Sequence, residues 1–287
     1  MDITIGLDIG GTKIMVAAAD GAGTILRRTR ADTPLDLTEG LALLKRLTEE
    51  VQETDRIVAI GAAAGGPLDW KTGVVSPLHQ PQWRDVPLKA IFEREYGCPF
   101  FVDVDTNAAA LGEWRYGGRE PGGLLYLTLS TGMGGGLLRD GQLYRGKDGT
   151  HPEAAHQSVP FRCAHPERVA CECGAPDCLE ALVSGNGIRR VYGKPAEELA
   201  EDEWAEVAYN LGLGLRNLAV ILAPDVIVLG GGVAVGGGEA FVAEAGRVMA
   251  ERLFLTPTPA LRLSRLGYDT ALLGAITLAQ QGLESLS

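Results

Sequence analysis

The sequence predicts an α/β protein of two related halves, each built on a mostly parallel sheet with helices on its faces. Three observations carry this expectation. Segments with strand character alternate along the chain with segments of helical period. A hairpin with a glycine-rich turn occurs twice, once at Gly10-Gly11 and once at Gly132–Gly136. The length of 287 residues is generous for one core and comfortable for two packed halves.

Ile3–Asp8 and Ile14–Ala19 read as strands joined by the turn Gly10-Gly11. Glu39–Glu53 has apolar residues at 41, 44, 47 and 51, the spacing of one helix face, and Ile57–Ala63 follows as a buried strand. Phe100–Val104 is a short strand running into a helix from Asn107 to about Tyr116. Leu124–Leu129 opens the second half, followed by Thr131-Gly132-Met133-Gly134-Gly135-Gly136 and another strand. Glu203–Leu222 sets Trp204, Val207, Leu211, Leu215, Leu218 and Leu222 on one stripe, which predicts a long helix. Asp225–Leu229 is a strand ending in Gly230-Gly231-Gly232, and Thr270–Gln281 is a closing helix. Both hairpins share the order strand, glycine loop, strand, Asp-Gly (Asp20-Gly21 and Asp140-Gly141). Four features in one order point to duplication, with the two glycine loops facing each other across a cleft.

Composition narrows the function classes. Apolar residues make up 46% and charged residues 22%, an ordinary globular balance. A net charge of −11 disfavours nucleic-acid and anionic-membrane partners, and no Lys/Arg run supplies a local exception. An anionic small molecule would have to be held by backbone dipoles and a metal ion. The chain opens directly on a strand without a basic-then-apolar leader, and no apolar run approaches the ~20 residues of a membrane span. With five cysteines, three of them clustered, the expectation is a cytoplasmic protein with a metal site rather than disulfides.

Asp8-Ile9-Gly10-Gly11-Thr12-Lys13 can present backbone N–H groups to a phosphate, with Asp8 holding Mg²⁺ directly or through water. A tight hairpin alone would use the same glycines. The second loop, Thr131–Gly136, repeats the chemistry, and two such loops favour phosphate. Gly230-Gly231-Gly232 suits either an adenosine group or a crowded strand–helix junction. Asp105, at a strand mouth, can take the proton of an attacking hydroxyl or help cap the helix expected from Asn107. Cys171, Cys173 and Cys178 form a C-x-C-x₄-C cluster which, with His156 upstream, suits a closed tetrahedral zinc site. His165 and Cys163 compete for the fourth position, and Cys98 reads as a small buried residue.

Together these motifs resemble the ROK family (repressor, open reading frame, kinase) of sugar kinases and regulators. Asp8–Lys13 matches D-x-G-G-T-K, Thr131–Gly136 matches T-G-x-G-G-G, and Cys178-Leu179-Glu180 matches the C-L-E that ends the zinc motif. Leu229–Gly232 matches the segment near the adenosine. The resemblance implies two RNase H-like domains of actin/hexokinase type flanking an active-site cleft, with residues 1–116 and 272–287 in one domain and 117–271 in the other. It implies ATP-dependent phosphorylation of a hexose hydroxyl with Asp105 as base. Asp8, Gly10, Gly11, Thr12, Lys13, Thr131, Gly132, Gly134, Gly231 and Gly232 would hold Mg-ATP. Gly66, Asp105, Glu153, His156 and Glu180 would face the sugar, and a structural zinc on His156, Cys171, Cys173 and Cys178 would brace the sugar loop. A homodimer or higher homo-oligomer is the expected assembly.

Departures from the family pattern bear on the substrate. Val104 and Leu78 stand where glucokinase-like members have amides, and Ala155 replaces a glycine in Glu153-Ala154-Ala155-His156. His151-Pro152-Glu153 and the Asp105–Glu113 run look fructokinase-like, whereas Cys171-Glu172-Cys173-Gly174 looks glucokinase-like. Glucose or a related hexose is therefore the first expectation, with fructose- or mannose-type specificity, or a sugar-binding regulator without catalysis, as alternatives. A DNA-binding repressor is disfavoured, because seven residues precede Asp8 and the net charge is −11.

Overall fold

A computed structural model describes residues 1–78, 80–118 and 122–286. The chain forms two compact units: Met1–Arg119 with Lys147–Gly149 and Tyr268–Ser287, and Glu120–Gly146 with Thr150–Gly267.

The first unit begins with β1 (Asp2–Ile9), β2 (Lys13–Ala19) and β3 (Ile25–Asp32). There follow α1 (Leu37–Gln52), β4 (Arg56–Ala64) and three two-residue strands, β5 (Leu68–Asp69), β6 (Val74–Val75) and β7 (Val86–Pro87). Next come α2 (Leu88–Tyr96), β8 (Phe100–Val104) and α3 (Asp105–Tyr116). Asp36 caps α1 by accepting from the Glu39 N–H at 3.0 Å. The main sheet has the order β3-β2-β1-β4-β8, antiparallel through β3-β2-β1 and parallel through β1-β4-β8. One face buries Leu44, Leu47, Phe92 and Trp83 against β-strand residues such as Ile5, Leu7 and Ile60. The other face takes the C-terminal helix, Thr270–Leu286, whose Leu272 and Ile276 pack on Ala17 and Ala19.

The second unit repeats the plan. It contains β9 (Gly123–Leu129), β10 (Met133–Arg139), β11 (Gln142–Leu143), α4 (Glu180–Val183) and α5 (Gly185–Tyr192). It continues with α6 (Glu201–Leu222), β12 (Val226–Gly230), α7 (Gly232–Ala250) and β13 (Ala260–Leu263). The sheet order is β11-β10-β9-β12-β13, again antiparallel through the hairpin and parallel through β9-β12-β13. Both sheets therefore place the hairpin, its third strand and two crossover strands identically, as duplication predicts. Among the described residues, no helix is long and apolar enough to cross a membrane.

One local feature differs from the sequence expectation and two add to it. The helix expected from Asn107 begins at Asp105, so neither Asp105 nor Thr106 is its cap; Val104 holds that place with extended backbone. The glycine-rich stretch after β12 continues as α7, broken at Gly238, where φ is 66° and ψ −167°. Ala155 lies fully buried in a 3₁₀ turn over Ala154–His156, outside the left-handed region, so the residue that replaces glycine here meets no backbone penalty.

Candidate active site

In the first unit, the Gly10–Lys13 turn closes the β1–β2 hairpin through a 3.0 Å bond from the Gly10 N–H to the Lys13 carbonyl. A Cβ on Gly10 would press on that carbonyl at 2.9 Å, so glycine is required there. Thr33 braces the turn, its hydroxyl donating to the Gly10 carbonyl at 2.7 Å and its N–H to the Thr12 carbonyl at 2.9 Å. Gly11, Thr12 and Lys13 are exposed, leaving amides and a hydroxyl free to meet a ligand.

Asp8 is the last residue but one of β1, just before this turn. Its carboxyl is densely surrounded, and that desolvation, with the charges of Asp105 and Asp269, raises its pKa from 3.8 to about 7. Asp269 belongs to no sequence motif. Only the return of the C-terminal helix places it near Asp8. Asp105 opens α3 at the end of β8, its Oδ1 accepting from the Thr106 N–H at 2.7 Å. Below it the buried Asp103 accepts from the Val104 N–H (2.8 Å) and the Asn107 amide (2.9 Å), fixing the strand-to-helix turn. Gly66 lies beside Val104, since a Cβ there would approach Val104 Cγ1 at 3.5 Å, and its carbonyl accepts from the Leu78 N–H at 2.9 Å. The Leu78 loop is held by Arg84, whose guanidinium donates to the carbonyls of Pro77 (2.6 Å), Gln80 (3.1 Å) and Trp83 (3.2 Å). Arg84 escaped sequence reasoning because a residue chelating carbonyls carries no spacing signature.

The second unit holds the other glycine loop. Ser130 N–H donates to the Gly132 carbonyl (2.8 Å), while Gly185 and Asn186 donate to the Ser130 (2.7 Å) and Thr131 (3.0 Å) carbonyls. Thr131 is exposed and Gly132 and Gly134 are half-buried. At the third glycine cluster, Gly231 has φ 87° and a Cβ would collide with the Leu129 carbonyl; a Cβ at Gly230 would collide with the Tyr126 hydroxyl. Crowding therefore accounts for these two glycines, whereas Gly232, the exposed first residue of α7, faces open space.

His156, Cys171, Cys173 and Cys178 converge so that one ligand atom from each lies within 4.8 Å of the others. Cys171 Sγ is 3.5 Å from His156 Nδ1, and Cys173 Sγ is 3.5 Å from Cys178 Sγ. Tetrahedral zinc with sulfur and imidazole ligands separates them by about 3.5–3.8 Å, so the donor set fits. Burial pushes the Cys171 and Cys178 thiols up, whereas the Ala175 N–H and the neighbouring thiols pull exposed Cys173 down to about 7. Cys163 and His165 stand apart from this group: the His165 N–H donates to Cys163 Sγ at 3.4 Å and its ring faces Glu167. With Nδ1 turned to the thiols, His156 Nε2 lies 3.9 Å from Glu153 Oε2, and His151 Nε2 lies 3.5 Å from Glu153 Oε1. Glu180 accepts from the Met133 N–H at 3.0 Å.

The ROK family model matches residues 4–282. The chain belongs to the ROK family. Among the relatives of this ROK protein is a glucokinase of Halalkalibacterium halodurans, 32% identical over 81% of each chain. A ROK hexokinase from Thermus thermophilus superposes with a TM-score of 0.88 at 34% identity, covering 99% of both chains. A ROK family glucokinase from Streptomyces griseus, solved with glucose and AMPPNP, gives a TM-score of 0.78 at 29% identity over 98% of this chain and 100% of that one. The fold is thus the α/β actin/hexokinase type of the ROK sugar kinases.

Proposed function

We propose that this ROK protein is a sugar kinase that transfers the terminal phosphoryl group of ATP to a hexose hydroxyl, the 6-hydroxyl of glucose or a close relative. The observation that carries the reading is the pairing, within one unit, of Asp105 at a strand mouth with Asp8, close enough for their charges to interact, beside an exposed glycine turn. Asp105 accepts the proton of the attacking hydroxyl, the new O–P bond forms at the γ-phosphorus, the β–γ bridging bond breaks, and ADP leaves with the electron pair. In the first unit the exposed Gly11 and Thr12, and in the second the exposed Thr131 with half-buried Gly132, would offer amides to phosphate oxygens, with Gly10, Lys13 and Gly134 shaping the two loops and Gly231 and Gly232 assigned to the adenosine. Asp8 would hold Mg²⁺, which supplies neutralisation of the phosphate charge when bound. Glu153, His156, Glu180 and Gly66 face the sugar. Zinc on His156 Nδ1 and the three thiolates would leave Nε2 for a sugar hydroxyl, the metal fixing ring and tautomer. We assign residues 1–116 with 272–287, and 117–271, to two domains; residues 79, 119–121 and 287 lie outside the described residues.

Fructose is the second sugar to test, because His151-Pro152-Glu153 resembles the fructokinase-like His-Pro-Glu motif and His151 Nε2 lies 3.5 Å from Glu153 Oε1. ADP release over a panel of hexoses, amino sugars and fructose separates the substrates. Turnover on none of them, with ATP still bound, would point to a sugar-binding regulator. Asp105→Asn should keep sugar binding and lose at least about a hundredfold in turnover; near-normal turnover would remove Asp105 from the role of base.

A further inference from the structure

Glu180 stands between two features that the sequence reads separately. Its Oε2 accepts from the Met133 N–H at 3.0 Å, at the end of the second glycine loop. A Cβ on Gly132 would lie 3.1 Å from the same oxygen, so the carboxylate fits closely under the loop. Its Oε1 lies 3.6 Å from Cys171 Sγ, one of the four converging metal-ligand side chains. The backbone makes the same connection. Cys178, another member of that group, is two residues from Glu180, and the following Gly185 and Asn186 carry the Ser130 and Thr131 carbonyls. Every one of these residues belongs to the second unit.

We propose that Glu180 is a positioning residue that ties the cysteine–histidine knuckle to the second glycine loop, so that metal loading sets the order of that loop and its hold on nucleotide. The proposal rests on the reading of Thr131–Gly134 as a phosphate loop. The physical argument is one of shared restraint. A tetrahedral ion fixes Cys178, Cys178 two residues away fixes the backbone path of Glu180, and Glu180 fixes the Met133 amide. Without the ion, the Cys171 thiol can still donate weakly to Glu180 Oε1 at 3.6 Å, but only weak contacts among the thiols then hold Cys178 and the Cys178–Glu180 backbone.

The experiment measures hydrogen–deuterium exchange of the Ser130–Gly134 segment in the full chain, together with titration of Mg-ADP, in zinc-loaded and chelator-treated protein. Glu180→Ala, and Glu180→Asp with its shorter reach, should raise exchange at Met133 and weaken Mg-ADP binding by about tenfold, the worth of a hydrogen bond to a charged acceptor. Glu180→Gln, which keeps an acceptor oxygen, should restore most of both. Chelation, or Cys173→Ser at the exposed ligand, should produce the same loss in the parent chain and less than about a twofold further loss in Glu180→Ala. Unchanged Met133 exchange in both Glu180→Ala and Glu180→Asp overturns the proposal, as do metal and side-chain effects that simply multiply. Exchange that responds as expected in a chain that binds no Mg-ADP supports the link and overturns instead the reading of the loop as a nucleotide site.

Discussion

An ionised Asp8 would stand among protein atoms with Asp105 and Asp269 close by, and burial together with those two charges keeps its proton on up to about 7. The folded state therefore binds this proton more tightly than the unfolded chain, where the group titrates near 3.8. The stabilisation is full below that value and is lost as pH rises through about 7. A gap of this size corresponds to on the order of 4 kcal/mol between the two limits. Asp8→Asn cannot ionise, so it should match the parent in thermal midpoint near pH 4 and exceed it increasingly up to pH 8, by several degrees. A midpoint difference that stays constant with pH would show that Asp8 does not titrate in this window. The same substitution removes the carboxylate proposed for Mg²⁺, so the Mg-nucleotide stabilisation expected of the parent at pH 8 should disappear from the variant. A more stable variant that binds its nucleotide less well is the expected signature of a charge retained for function rather than for folding.

At the scale of elements, the contact between α3 and the C-terminal helix is set by absent side chains. A Cβ on Gly274 would run into the Ala108 carbonyl, one on Gly112 into the Thr270 carbonyl, and one on Gly61 in β4 into the Ala275 carbonyl. Backbone meets backbone at all three, so neighbouring side chains cannot yield to relieve the overlap. Gly274→Ala should therefore cost at least about 2–3 kcal/mol despite its gain in helix propensity. Urea unfolding should show a lower midpoint with an unchanged slope, and a neutral or stabilising result would mean that the two helices do not pack this closely. Such packing also explains what the sequence could and could not reveal. The glycine turns at 10–11 and 132–136 are legible because hairpin chemistry is local. The α6 stripe is legible because its period runs without interruption from Trp204 to Leu222. By contrast, the segment after Gly232 is unassigned by its period: Gly236, Gly237 and Gly238 interrupt it, while tertiary packing of Phe241, Val242 and Ala245 keeps α7 helical on both sides of a kink. Asp269 and Arg84 are hidden for another reason. Their partners are far away in sequence, or are carbonyl oxygens that every residue possesses.

For the whole molecule, the decisive topological fact is that the first unit is assembled from both ends of the chain. Its sheet is complete by Val104, but one face is covered only when Leu272 and Ile276 pack on Ala17 and Ala19, and Ala275 on Ala63 and Ala108. The Gln280 amide also donates to the carbonyls of Asp20 (3.2 Å) and Gly21 (3.3 Å), closing the far edge. By comparison, all four converging ligand side chains, the second glycine loop and the core around Leu211, Leu215 and Ile227 lie within 120–267. Ending the chain after Gly267 should therefore separate the two halves of the chemistry. The first unit, with an apolar face laid open, should lose hydrogen-exchange protection across β1, β4 and α3. The second should still take up the zinc proposed for it, at about one ion per chain, because none of the residues that form that site has been removed. Supplying the 268–287 segment as a separate peptide should restore protection to the first unit, since its contacts are side-chain packing rather than chain connectivity. A truncated chain that keeps protection in β1 and β4 would mean that the helix is dispensable. One that loses its zinc together with the first unit would mean that the two units fold as a single cooperative body, despite an organisation that gives each its own sheet, core and glycine loop.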